Sequence, residues 1–127
     1  MVALVKVLLV EDDFDFRDTL KIILNQPPIE LTTACDGFQA MEYLKSENYH
    51  VMITDINLGN MMDGIELIKK MRMSRLNRET KVVVMSGKID KDLVKTCSTL
   101  KVANILAKPF KPESIIDNLT AALKKAG

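Results

Sequence analysis

The chain has no tryptophan, four prolines, five glycines and two cysteines, Cys35 and Cys97. So little proline and glycine excludes collagen-like and low-complexity classes. Two cysteines, neither in a C-x-x-C, cannot build a disulfide framework. They are expected to be free, largely buried thiols in a reducing compartment. No apolar run approaches the roughly 18 residues needed to span a bilayer. The first residues, Met1 to Val5, lack the charged n-region and cleavage site of a secretory leader, which points to a cytoplasmic protein. Excess charge is also missing. The formal net charge is +1, so nothing global favours nucleic acid or a membrane surface. The one histidine, His50, precedes a strand-like segment and reads as an edge or loop residue.

What is present suits a globular fold. The 127 residues, 47% apolar and 28% charged, match one domain spanning 1–127 with a real core. Five strand-like runs are expected at Val5 to Val10, Ile29 to Ala34, Val51 to Thr54, Lys81 to Met85 and Val102 to Ala107. Helical patterns alternate with them. The first presents Phe16, Leu20, Ile23 and Leu24, and stops before Pro27-Pro28. The second starts at Asp36-Gly37 and packs Ala40, Met41 and Leu44. The third is capped by Asp63 and packs Leu67, Ile68 and Met71. The fourth is capped by Asp90, with a thin face of Leu93, Val94 and Cys97. The last follows Pro112 and packs Ile115, Ile116, Leu119 and Leu123. Arg72 to Thr80 reads as a solvated basic loop, and the eight methionines mostly as core filler, Met61-Met62 being exposed. Strict β-α alternation predicts an α/β fold: a doubly wound, parallel five-stranded sheet with helices on both faces.

Polar residues gather at the carboxyl ends of the strands. Glu11, Asp12 and Asp13 follow the first, Asp55 the third, Ser86 the fourth and Lys108 the fifth. In the flavodoxin-like order 2-1-3-4-5, the first and third strands flank the crevice where ligands bind. Each residue alone has a plain structural role as a cap, a turn or a solvated surface group. Together they describe a site. Crowded carboxylates repel and raise one another's pKa, and a divalent cation removes that cost. An all-oxygen set with few protein ligands suits Mg²⁺. An aspartate, a cation, a lysine and a hydroxyl together favour phosphoryl transfer to a carboxylate.

The segments VLLVEDD at 7–13, ITDINL at 53–58, MDG at 62–64, VVMSG at 83–87 and LAKPF at 106–110 resemble the receiver domain of two-component response regulators, including the chemotaxis type. The resemblance covers essentially the whole chain. It implies that Asp55 is the phosphoacceptor, with Mg²⁺ held by Asp12, Asp55 and the backbone carbonyl of Asn57, and by Glu11 through water. Ser86 would move toward the phosphoryl group and Lys108 would contact it. The Lys108-Pro109 bond would be cis. Two departures stand out. The loop after Asp55 lacks the family's proline and is one residue longer, and Ile105 stands where an aromatic is usual.

The function implied is a phosphorylation switch, not an enzyme with a released product, although it promotes its own phosphorylation and dephosphorylation. It takes a phosphoryl group from a phosphohistidine on a sensor kinase or phosphotransfer protein. It then alters the face of the fourth helix, fifth strand and fifth helix toward an output partner. No direct nucleic-acid or membrane partner is expected, and the state is a monomer or weak dimer. Two alternatives remain. One is an aspartate-nucleophile phosphatase of the haloacid-dehalogenase kind, disfavoured because Asn57 cannot serve as its general acid. The other is a pseudo-receiver that only binds.

Overall fold

A computed structural model describes residues 3–59 and 62–125. Its elements are β1 (Val5–Val10), α1 (Phe14–Leu24), β2 (Ile29–Ala34), α2 (Gly37–Ser46), β3 (Val51–Asp55), α3 (Gly64–Arg72), β4 (Lys81–Ser86), α4 (Lys91–Thr99), β5 (Asn104–Ala107) and α5 (Ser114–Lys124). All strands are parallel, in the order β2-β1-β3-β4-β5.

Period-two alternation divides the apolar side chains between two cores. Leu8, Val10, Met52, Val82 and Val84 face α2, α3 and α4, meeting Ala40, Leu44, Leu67, Ile68, Met71 and Cys97. Val7, Leu9, Val51, Ile53, Val83 and Met85 face α1 and α5, meeting Leu20, Leu24, Ile115, Leu119 and Ala122. Both faces are covered, which explains why the strands read as unbroken apolar runs.

Four helices begin on an aspartate whose carboxylate accepts an N–H three residues on. The pairs are Asp13 with Phe16, Asp36 with Gln39, Asp63 with Glu66 and Asp90 with Leu93. Each such cap contributes about 1 kcal/mol. All four follow the carboxyl end of a strand, so they also turn the chain over the sheet edge where the candidate site lies.

Several expectations need correction. Strand β3 runs one residue further and pairs Asp55 with Met85, and β4 includes Ser86. Strand β5 begins at Asn104 rather than Val102, because Lys101 takes a positive φ of 60° and the two residues after it complete the turn out of α4. Cys35 is exposed, and Cys97 alone is buried. Val94 is 49% exposed and Leu123 39%, leaving Ala122 as the buried partner of Leu119. Met62 is buried against the second helix, where a Cβ at Gly37 would come within 2.8 Å of its sulfur. Met61 lies outside the described residues.

Arg72 is not a solvated loop residue. It ends α3, and its guanidinium donates to the carbonyls of Leu100 (2.9 Å), Arg78 (3.0 Å), Thr80 (2.5 Å) and Lys101 (3.3 Å). Burial pushes its pKa below the ordinary value. His50 is an exposed edge residue, its Nδ1 accepting the Lys6 backbone N–H at 2.9 Å.

Candidate functional site

The topology places the ends of β1 and β3 side by side, with Val10 opposite Thr54. One residue further on, Glu11 leaves β1 and Asp55 closes β3. Carboxylate oxygens of Glu11, Asp12 and Asp55 all lie within 4.8 Å of one another. Glu11 is 1% exposed and Asp55 7%, whereas Asp12 faces solvent.

Lys108 arrives from the end of β5, where the chain turns through a cis Lys108-Pro109 bond. Its ammonium donates to Asp55 Oδ2 and to Glu11 Oε1, the latter at 3.2 Å. It also sits 4.8 Å from the centre of the Phe16 ring. Burial opposes its charge, but the Asp55 hydrogen bond and the two carboxylates outweigh burial and lift its pKa above the ordinary lysine value.

Glu11 behaves differently. Burial pushes its carboxyl up from 4.5 to about 7, and the charge of Asp55 adds to the rise. The Asp13 N–H, donating to Glu11 Oε2 at 3.1 Å, and Lys108 pull the other way. Below about pH 7 the folded chain therefore holds a proton that the unfolded chain releases near pH 4.5. In that window the unfolded state binds fewer protons, so stability falls as pH rises. Thermal melts in metal-free buffer should show this decline between pH 4.5 and about 7, and Glu11→Gln should flatten it. A rise in stability across the window would contradict the assignment.

Two glycines shape the cup. Gly64 passes so close beneath β3 that a Cβ would lie 2.2 Å from the Asp55 carbonyl oxygen. Gly59 has φ +69°, and a Cβ there would lie 2.6 Å from Asp12 Oδ2. Gly59 thus lies directly against the Asp12 carboxylate. Leu58 anchors the loop, 1% exposed, while Asn57 donates its N–H to Asp55 Oδ1 at 3.1 Å.

The hydroxyl of Ser86, at the end of β4, is 5% exposed. It donates to the Lys88 carbonyl at 2.8 Å and accepts the Lys88 N–H at 3.2 Å. It therefore stands at the rim, engaged with its own loop rather than with Asp55. Ile105 packs half-buried among the α2–α4 side of the core.

Three supporting roles escaped the sequence reading, although Phe16 was placed on the apolar face of the first helix. Arg17 Nη1 donates to the Glu11 carbonyl at 2.7 Å and braces the turn out of β1. Phe16 forms a wall beside Lys108, and edge-to-face contact with Phe110 holds it there, with centroids 5.5 Å apart. The only signals were an apolar residue in the first turn of α1 and another after Lys-Pro, both ordinary core patterns. Gly59 lay unmarked among loop residues.

The donor set is all oxygen and mixes buried with exposed carboxylates, which fits a hard divalent cation such as Mg²⁺. A cation held by Glu11, Asp12 and Asp55 would offset their mutual repulsion.

Comparison with known proteins places this geometry in context. The family model for the response regulator receiver domain matches residues 7–120. A probable chemotaxis protein CheY of Rhizobium etli is 32% identical over 124 residues, covering 94% of this chain and 95% of that protein. The chemotaxis response regulator CheY4 of Vibrio cholerae superposes with a TM-score of 0.86 at 26% identity, over 95% of this chain and all of that one. The phosphorylated cyanobacterial phytochrome response regulator RcpA superposes with a TM-score of 0.82 at 25% identity, over 98% of each chain. The chain belongs to the response regulator receiver domains, the phosphorylation-type signalling switches of two-component systems.

Proposed function

We propose that Asp55 is the phosphoacceptor and that transfer to it depends on Mg²⁺. The observation that carries this reading is the convergence of Glu11, Asp12, Asp55 and Lys108 at one sheet edge. An Asp55 carboxylate oxygen attacks the phosphorus of a phosphohistidine. The new O–P bond forms as the P–N bond breaks, and the imidazole leaves with a proton. Receiver domains take their signal from histidine kinases or phosphotransfer proteins, so such a protein is the donor.

Asp12, Asp55 and the Asn57 carbonyl would hold the metal, with Glu11 acting through water. When bound, Mg²⁺ supplies positive charge that lets an anion approach an anionic nucleophile. Lys108 is drawn from Asp55 toward the phosphoryl oxygens, as charge-assisted donors are. Ser86 must give up its two Lys88 hydrogen bonds to reach the same group, and the β4–α4 loop follows it. That movement alters the α4–β5–α5 face, where Ile89 and Val94 are exposed. Moving such a switch from 1:99 to 99:1 needs about 5.5 kcal/mol of differential stabilisation. These assignments, with a cytoplasmic location, make the chain a switch whose product stays attached. The composition gives it no general attraction to nucleic acid.

The test is incubation with a small phosphoryl donor such as acetyl phosphate, with and without Mg²⁺. Label should enter the protein only with the metal. Equal uptake in chelator would overturn the reading.

A further inference from the structure

We propose that Phe16 is a positioning residue for Lys108: its ring face is a fixed, uncharged rest for the ammonium beside Asp55. The inference deepens the reading above, since it rests on Lys108 as the group that meets the phosphoryl.

Lysine is a long, flexible side chain, and among the described residues its ammonium here meets three groups. Two are carboxylates, Asp55 and Glu11. The third is the Phe16 ring at 4.8 Å, within the range where a ring quadrupole attracts a cation. The carboxylate contacts depend on the charge state of the cup. Asp55 changes character when it is phosphorylated. The ring carries no net charge and takes no modification, so its pull on the ammonium does not depend on that change.

The ring is itself held from two sides. The Phe16 N–H donates to the capping carboxylate of Asp13 at 3.1 Å, which fixes the backbone of the first turn of α1. Its ring meets Phe110 edge-to-face, at 66° between planes. Phe110 lies two residues after Lys108 on the same turn, so ring and lysine are tied to one piece of backbone. A side chain placed only for packing would need none of this alignment toward the ammonium.

Two measurements test it. In the NMR spectrum of the wild type, the Lys108 ε-methylene protons should be shifted upfield by the ring, and Phe16→Leu should return them toward ordinary lysine values. This arm is independent of phosphorylation. In the second arm, Phe16→Leu should slow uptake from acetyl phosphate by about two- to fivefold, with Phe16→Tyr restoring it. In a Lys108→Ala background the same Phe16→Leu change should have no further effect. Absence of the upfield shift would overturn the proposal, and so would an equal loss in the Lys108→Ala background. If no protein takes up label, the phosphoacceptor reading fails, and the spectrum still decides whether Phe16 positions Lys108.

Discussion

Asp55→Asn should reduce phosphoryl uptake to the background of the assay while leaving the fold in place. The two side chains have the same shape, so β3 keeps its pairing through position 55. The amide oxygen can still accept the Asn57 N–H, which now reaches Asp55 Oδ1 at 3.1 Å. What disappears is the negative charge at position 55, and with it the proposed nucleophile, one proposed metal-binding oxygen and one partner of Lys108. Lys108 retains Glu11, at 3.2 Å. Glu11 loses a neighbouring negative charge that helps to hold its pKa near 7, so its carboxyl should titrate lower in the variant. Gel shift of the phosphorylated protein and far-UV circular dichroism check the two halves. Substantial uptake in a folded Asp55→Asn would show that another residue accepts the group.

Asn77→Ala should cause a large loss of stability at a position distant from the site. Asn77 is fully buried although it lies in a loop. Its Nδ2 donates to the carbonyls of Leu44 (2.7 Å) and Glu47 (2.8 Å), and its Oδ1 accepts from Tyr49 N and Thr80 Oγ1, both at 2.8 Å. One carboxamide thus satisfies the end of α2, the entry to β3 and the start of β4. Alanine would leave the Tyr49 N–H and two carbonyls without these partners, each costing about 1–3 kcal/mol if water cannot replace it. A total loss of about 3 kcal/mol or more is expected, a large share of the roughly 5–15 kcal/mol that holds a domain folded. Urea unfolding measures it. A loss below about 1 kcal/mol, the net worth of one ordinary hydrogen bond, would mean that the network is not structural.

The contrast between these residues shows what the sequence made legible. Apolar runs and aspartate caps announce themselves locally, so four of the helix starts and most strand bounds could be read directly. The strand order then brought Glu11, Asp12, Asp55 and Lys108 together, because a parallel sheet puts every strand's carboxyl end on one edge. Asn77 and Arg72 could not be read that way. In a loop and at a helix end, Asn and Arg ordinarily face water, and what buries them is a set of carbonyls from distant segments. Met62 was misplaced for the same reason. Its burial depends on Gly37, whose missing side chain makes room for it. The Lys108–Phe16 contact joins residues 16 and 108 across the sheet edge and has no local pattern.

If three carboxylates and a lysine make one metal-dependent site whose nucleophile is Asp55, the phosphoryl group must be found on that side chain. Borohydride reduction of the phosphorylated chain, followed by peptide mass spectrometry, locates the acyl phosphate directly. Reductive conversion is expected at position 55, in Mg²⁺ and not in chelator. Conversion at another aspartate or glutamate, or labelling that ignores the metal, would contradict it.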